Sequence, residues 1–216
     1  MCPANDIDGI LSHEKELDYS HVIILLFVKP SDDNSDSFIK RFNYFHQRSK
    51  RYCTIYPIGY CNSNMDDFRQ CYPDAEEAGK VENKMWLYSD ACFDVVRRQL
   101  EKRLKNWRYC GEPEMIFLQN SSSFENGIPL DFRNYNYIDI NYGLQNGYIK
   151  NFARFMEHIF SACQREVEAR RVIDVAQRNR LNSREIVEIA LEYDKCLPAP
   201  VKKIIKNKLF FKSCKN

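Results

Sequence analysis

With 216 residues, 44% of them hydrophobic and 13% aromatic, the chain has the apolar mass for a real core, which excludes global disorder. Seven glycines are too few for a glycine-rich nucleotide fold or an all-β barrel with many tight turns. The net charge of +2 is unevenly divided: residues 166–216 carry 12 Lys/Arg against 7 Asp/Glu, a net of +5, which leaves −3 for residues 1–165. A mildly acidic body with a basic tail suits an anionic partner, or simply a solvated helix face.

The first twenty residues are polar and acidic, without the basic start and apolar stretch of a secretory signal. Residues 1–19 therefore read as a loose arm or short helix. Val22–Val28 is a continuous apolar run, the pattern of a strand buried on both faces. It is also the longest such run, and seven residues fall far short of the roughly 20 that a membrane span needs, so no membrane association is expected. Ser31 to Ser37 forms an acidic, serine-rich loop. Phe38, Phe42 and Phe45 then recur at helical spacing in a helix ending near Lys50.

Tyr52–Tyr56 is rich in β-branched and aromatic residues and reads as a second strand, closed by Pro57 and Gly59. Residues 60–84 read as a long, polar, irregular loop. Ser89 and Asp90 cap a helix whose apolar stripe is Phe93, Val96, Leu100 and Leu104. After it, Trp107 to Gln119 turns through Gly111 and Pro113 into a third strand, Met115–Leu118. The Ser/Asn/Gly segment 120–127 suggests a turn, and Tyr137–Tyr142 alternates as a fourth strand. Asn146 is expected to open the strongest helix, with Ile149, Phe152, Met156, Ile159, Cys163 and Val167 on one face.

The order β-α-β-α-β-β-α predicts an α/β domain over residues 1–165: a small mixed sheet flanked by helices, its first two strands parallel and its last two antiparallel. Residues 166–216 read as a basic helical subdomain. Asn182-Ser-Arg-Glu185 is a capping box, and Val201, Ile204, Ile205 and Leu209 oppose Lys202, Lys203, Lys206 and Lys208 on a short amphipathic helix.

This element order, with Gly111-Glu-Pro113 leading into Met-Ile-Phe-Leu, resembles the thioredoxin superfold, in which a cis-proline precedes the third strand. The resemblance covers roughly residues 20–165. It implies a redox site between the first strand and its helix, yet the loop Lys29-Pro-Ser-Asp-Asp-Asn-Ser-Asp-Ser37 holds no thiol. The Trp107-x-Tyr109-x-Gly111-Glu112 pattern is also similar to a set of bacterial proteins without an assigned activity, of a kind that turns up in accessory or antiviral-defence gene clusters.

The candidate site residues follow from these elements. Cys92, in the first turn of a helix, and Cys110, beside Arg108 in the 107–119 segment, are the candidate nucleophiles, with Glu112 next to them. Asp32, Asp33 and Asp36 cluster where α/β sheets bind ligands, and serve either a metal-dependent site or helix capping. Trp107 and Tyr109 are candidate contact residues. The four lysines named above, in a segment 201–216 with six lysines and no acid, are candidates for phosphate contact.

Nine scattered cysteines without C-x-x-C spacing, and histidines His13, His21, His46 and His158 without a surrounding motif, predict reduced cytoplasmic thiols and no metal or cofactor. The leading expectation is a non-catalytic bacterial interaction or regulatory protein, an adaptor or accessory subunit with a protein partner. One alternative is an enzyme using the acidic loop for metal-dependent phosphate chemistry, or a reactive cysteine. The other is a nucleic-acid or nucleotide sensor working through the basic end.

Overall fold

The computed structural model describes residues 6–17, 21–31, 38–49, 52–81, 84–120, 129–133 and 135–172. Residues 32–37 with Asp32, Asp33 and Asp36, residues 121–127 of the expected turn, and the basic segment 173–216 with Lys202, Lys203, Lys206 and Lys208 lie outside the described residues.

The chain has a mixed α/β fold with two small sheets. The larger is built from β1 (His21–Phe27), β2 (Cys53–Pro57), β6 (Glu114–Asn120) and β7 (Asn136–Asp139), in the order β2-β1-β6-β7. β1 runs parallel to β2, with Val22 opposite Cys53, and antiparallel to β6, with Ile24 opposite Phe117. β6 and β7 are antiparallel, as the sequence predicts for this pair. β1 and β6 are buried at every position, so both faces of the sheet must be covered. Helices α1 (Ile7–Glu16) and α4 (Asp90–Arg103) pack together, as do α2 (Phe42–Ser49) and α6 (Phe152–Val172), and these two pairs supply the cover.

Local signals explain most of these elements. Ser89 caps α4 by accepting from the Cys92 amide at 3.0 Å, and Phe93, Val96, Leu100 and Leu104 are all fully buried on the stripe their spacing predicts. Asp74 reinforces the cap, accepting from the Ser89 hydroxyl at 2.8 Å and the Ala91 amide at 2.9 Å. Ser89→Ala is expected to lower stability by about 1–2 kcal/mol in a urea titration, because it removes the cap and a partner of Asp74 together. A variant indistinguishable from the parent would refute that double role.

Four expectations need correction. Residues 60–84 are not irregular: β3 (Tyr60–Cys61), α3 (Met65–Cys71), β4 (Glu76–Val81) and β5 (Lys84–Tyr88) build a second, antiparallel sheet in the order β3-β5-β4. It escapes the sequence because β4 is charged and carries a register shift between Glu77 and Gly79, so neither strand alternates cleanly. The fourth strand stops at Asp139, whose carboxylate accepts from the Tyr142 amide at 2.7 Å and starts α5 (Ile140–Gln145). The long helix begins at Phe152, not Asn146; the Asn151 side chain accepts from the Arg154 amide at 3.1 Å, and Ile149 is buried ahead of the helix. Finally, the peptide before Pro113 is trans, like every other described peptide bond.

Candidate functional site

The carboxyl end of β1 is where an open α/β sheet offers a ligand site. Here it is filled with rings. Phe27, the last residue of β1, lies 5.3 Å from Trp107, 5.7 Å from Tyr109 and 5.5 Å from Phe93 of α4, centroid to centroid. Phe93 continues to Tyr109 at 5.3 Å and to Tyr88 at 6.3 Å; Tyr88 meets Tyr60 at 4.8 Å. Tyr60 and Trp86 then close on Phe42 of α2 at 5.2 and 5.0 Å. The second sheet thus plugs the corner with Tyr60, Trp86 and Tyr88. Gly59 makes the approach possible: its φ is +85°, and a Cβ there would stand 2.9 Å from the Tyr88 ring. Lys29 lies over the Phe93 ring at 4.9 Å and binds Asp90 at 2.6 Å, so a salt-bridged cation covers the cluster.

Beneath the rings lies a polar corner. Glu114, the first residue of β6, is 1% exposed. One carboxylate oxygen accepts from Trp107 Nε1 at 2.9 Å and the other from Cys110 Sγ at 2.8 Å. Its strand neighbours in register are Phe27 and Asp139. Burial is the strongest influence on Glu114 and leaves its carboxyl above the ordinary range despite those hydrogen bonds; the nearby Asp139 charge adds to the rise. Glu112 stands at the surface and accepts from Asn141 Nδ2 at 2.6 Å.

Trp107 and Cys110 thus meet on Glu114 and Tyr109 packs on Phe27, while Glu112, also a sequence candidate, stands apart at the surface. Cys92 is elsewhere, packed with Cys61, Phe68 and Leu87 under the second sheet. Its place in the first turn of α4 favours a thiolate, but burial dominates and pushes the thiol up to about 12. Cys110 is an exposed residue whose sulfur bonds Glu114; partial desolvation, followed by that hydrogen bond and the carboxylate charge, pushes its thiol up to about 12 as well. Both thiols are thus protonated at neutral pH, the reverse of an activated nucleophile. Iodoacetamide at pH 7.5 is accordingly expected to modify the exposed Cys71 and Cys110 in the native protein before the buried Cys92, which reacts only after denaturation. Mass spectrometry reads the order, and early labelling of Cys92 would contradict it.

A second buried constellation has no counterpart in the sequence reading. Glu14 of α1 meets His21, Tyr56 and Asn120 from three strands, and His21 in turn bonds Thr54. Its signal was present: Glu14 continues the stripe of Ile7 and Ile10 at helical spacing, and an acid on an apolar stripe is a buried acid in need of partners. Among the described residues, no group of three or more His, Cys, Asp or Glu is placed to hold a metal ion, and no helix is long and apolar enough to cross a membrane. No protein-family model, curated protein or solved structure matches the chain.

Proposed function

We propose that this chain is a non-catalytic cytoplasmic protein of bacterial type that works by binding another protein, as an adaptor or regulatory subunit. One observation carries the reading: aromatic side chains of the core occupy the corner where an α/β enzyme of this layout would admit its substrate. The protonated state of Cys92 and Cys110 supports it, because thiol chemistry would need the opposite.

The body is read as a thioredoxin-like core. A parallel β-α-β half followed by an antiparallel β-β-α half supports that comparison. The trans peptide before Pro113 and the thiol-free segment Lys29–Ser37 depart from it. On this reading the scaffold is kept while its redox corner is given over to packing.

Two measurements test the proposal. The purified full chain should form a saturable complex with a partner found by cross-linking, and should show no turnover on disulfide or phosphodiester substrates. Turnover that disappears in Cys110→Ala or Glu112→Ala would overturn it. Nucleic-acid binding is the second reading, favoured by the six lysines and absent acids of residues 201–216. Deleting that segment should abolish salt-sensitive binding if this reading is correct, and unchanged binding would remove it.

A further inference from the structure

Glu14 is fully buried, and its contacts come from β1, β2 and β6. Tyr56 of β2 donates its hydroxyl hydrogen to one carboxylate oxygen at 2.6 Å. His21 Nε2 of β1 lies 3.0 Å from the other oxygen, which also accepts from Asn120 Nδ2 of β6 at 2.6 Å. Asn120 Nδ2 additionally reaches the Glu14 carbonyl at 3.0 Å. His13 of the same helix bonds the Tyr56 hydroxyl at 2.6 Å, and His21 Nε2 also contacts Thr54 Oγ1 at 2.9 Å. The titratable groups around Glu14 are therefore His13 from α1, His21 from β1 and Tyr56 from β2; Thr54 and Asn120 add neutral partners.

We propose that Glu14 is a proton-operated latch: its ionised carboxylate docks α1 on the sheet, and protonation releases the helix while the strands remain paired. Three features separate the helix from the sheet. The β1–β2 and β1–β6 ladders are backbone pairings that do not use the Glu14 side chain. The other polar ties of α1 to the body include the His13–Tyr56 bond near its end, the Ile7 amide donating to Gln99 Oε1 at 2.9 Å, and Asp8 pairing with Arg103 at 3.2 Å, where Asp8 stands largely in solvent and Arg103 is half-buried. Its fully buried apolar anchors are Ile7 and Ile10. The anchor that binds α1 to three strands at once is thus a single carboxylate.

The direction with pH follows. Burial alone would raise the Glu14 carboxyl, but the hydrogen bond and charge of His21, with the hydrogen bonds of Tyr56 and Asn120, outweigh it and hold it below the ordinary range. The latch is therefore closed at and above the ordinary carboxylate value, and opens as pH falls through the lower value in the fold. His21 opposite it keeps the pair attractive whenever the imidazole is charged.

Hydrogen exchange followed by mass spectrometry, corrected for the intrinsic pH dependence of exchange, tests the latch on the full chain. Between pH 6 and about pH 3, protection of residues 7–16 should fall while that of residues 114–120 persists. Glu14→Gln should reduce protection of residues 7–16 at pH 7 by about a hundredfold or more, since one partner of a buried pair is removed. Asp8→Asn, which touches only the exposed pair, should leave it within a few-fold. Joint loss of protection in both segments of the parent protein would overturn the proposal, because α1 would then report global unfolding. So would Glu14→Gln exchanging like the parent. If Glu14→Gln does not fold, Tyr56→Phe takes its place as the milder variant: an α1 that exchanges in that variant as in the parent, or joint loss in the parent's pH series, rejects the latch.

Discussion

Trp107→Ala is expected to lower the unfolding free energy by about 3–5 kcal/mol, read as the shift of the urea midpoint at constant slope. Trp107 is fully buried, packs on Phe27, and supplies one of the two side-chain donors to Glu114. Truncation leaves a cavity beneath the carboxyl end of β1 and an acid oxygen stranded in it. Trp107→Phe separates the two effects, because it keeps a ring and removes only the donor. Its penalty is expected to be about 1–3 kcal/mol and to grow with pH as Glu114 ionises without its indole partner. A phenylalanine variant as stable as the parent at pH 8 would show that the hydrogen bond contributes nothing.

The two buried glutamates should respond to glutamine substitution with opposite pH signatures. Glu14→Gln is expected to cost about 3–5 kcal/mol at pH 7, because it strands His21 and forces an amide against Asn120. The Glu14 carboxyl is held down in the fold, so its contribution is present above the ordinary carboxylate value and disappears only in acid. Glu114 is the reverse. Its carboxyl is raised in the fold, so the parent loses stability as pH rises from the ordinary value through the raised one. Glu114→Gln does not ionise and should gain on the parent over that window. Urea titrations of both variants at pH 4, 6 and 8 distinguish them; a Glu114→Gln penalty that deepens with pH would contradict the assignment.

Two other ties show how the covering helices are joined across the chain. Glu157 of α6 is held by the Arg48 guanidinium at 2.7 Å and by the Tyr44 hydroxyl, both on α2. The guanidinium beside Glu157 holds that carboxyl below its ordinary range. Tyr135 likewise donates to the Lys105 carbonyl, pinning the approach to β7 against the segment after α4. These contacts link residues far apart in sequence, and no local pattern announces them.

Elements whose signal is local were legible in the chain. The unbroken apolar runs of β1 and β6, the Ser89 cap and the stripe of α4 follow from periodicity and capping chemistry, which act over a few residues. The Trp107–Glu112 segment could be singled out for the same reason, since a helix end, a glycine turn and a buried strand meet there. Its chemistry could not. Glu114 reads as the edge of an apolar run, and only the fold places it between an indole, a thiol and the Asp139 strand. The second sheet stayed hidden because its strands are short, charged and bulged, and are held by cross-strand pairing and by aromatic contacts with α2 and α4.

By itself, then, the sequence determined the alternation of strands and helices that builds the larger sheet, its two central strands and the lack of a thiol in the segment after β1, because each rests on neighbouring residues. Tertiary structure decided that rings would fill the carboxyl end of β1 and that a helical glutamate would be buried among three strands. It also decided that Cys92 and Cys110 would be protonated. All of these depend on desolvation and on partners brought together from distant parts of the chain, quantities that exist only once the chain has folded.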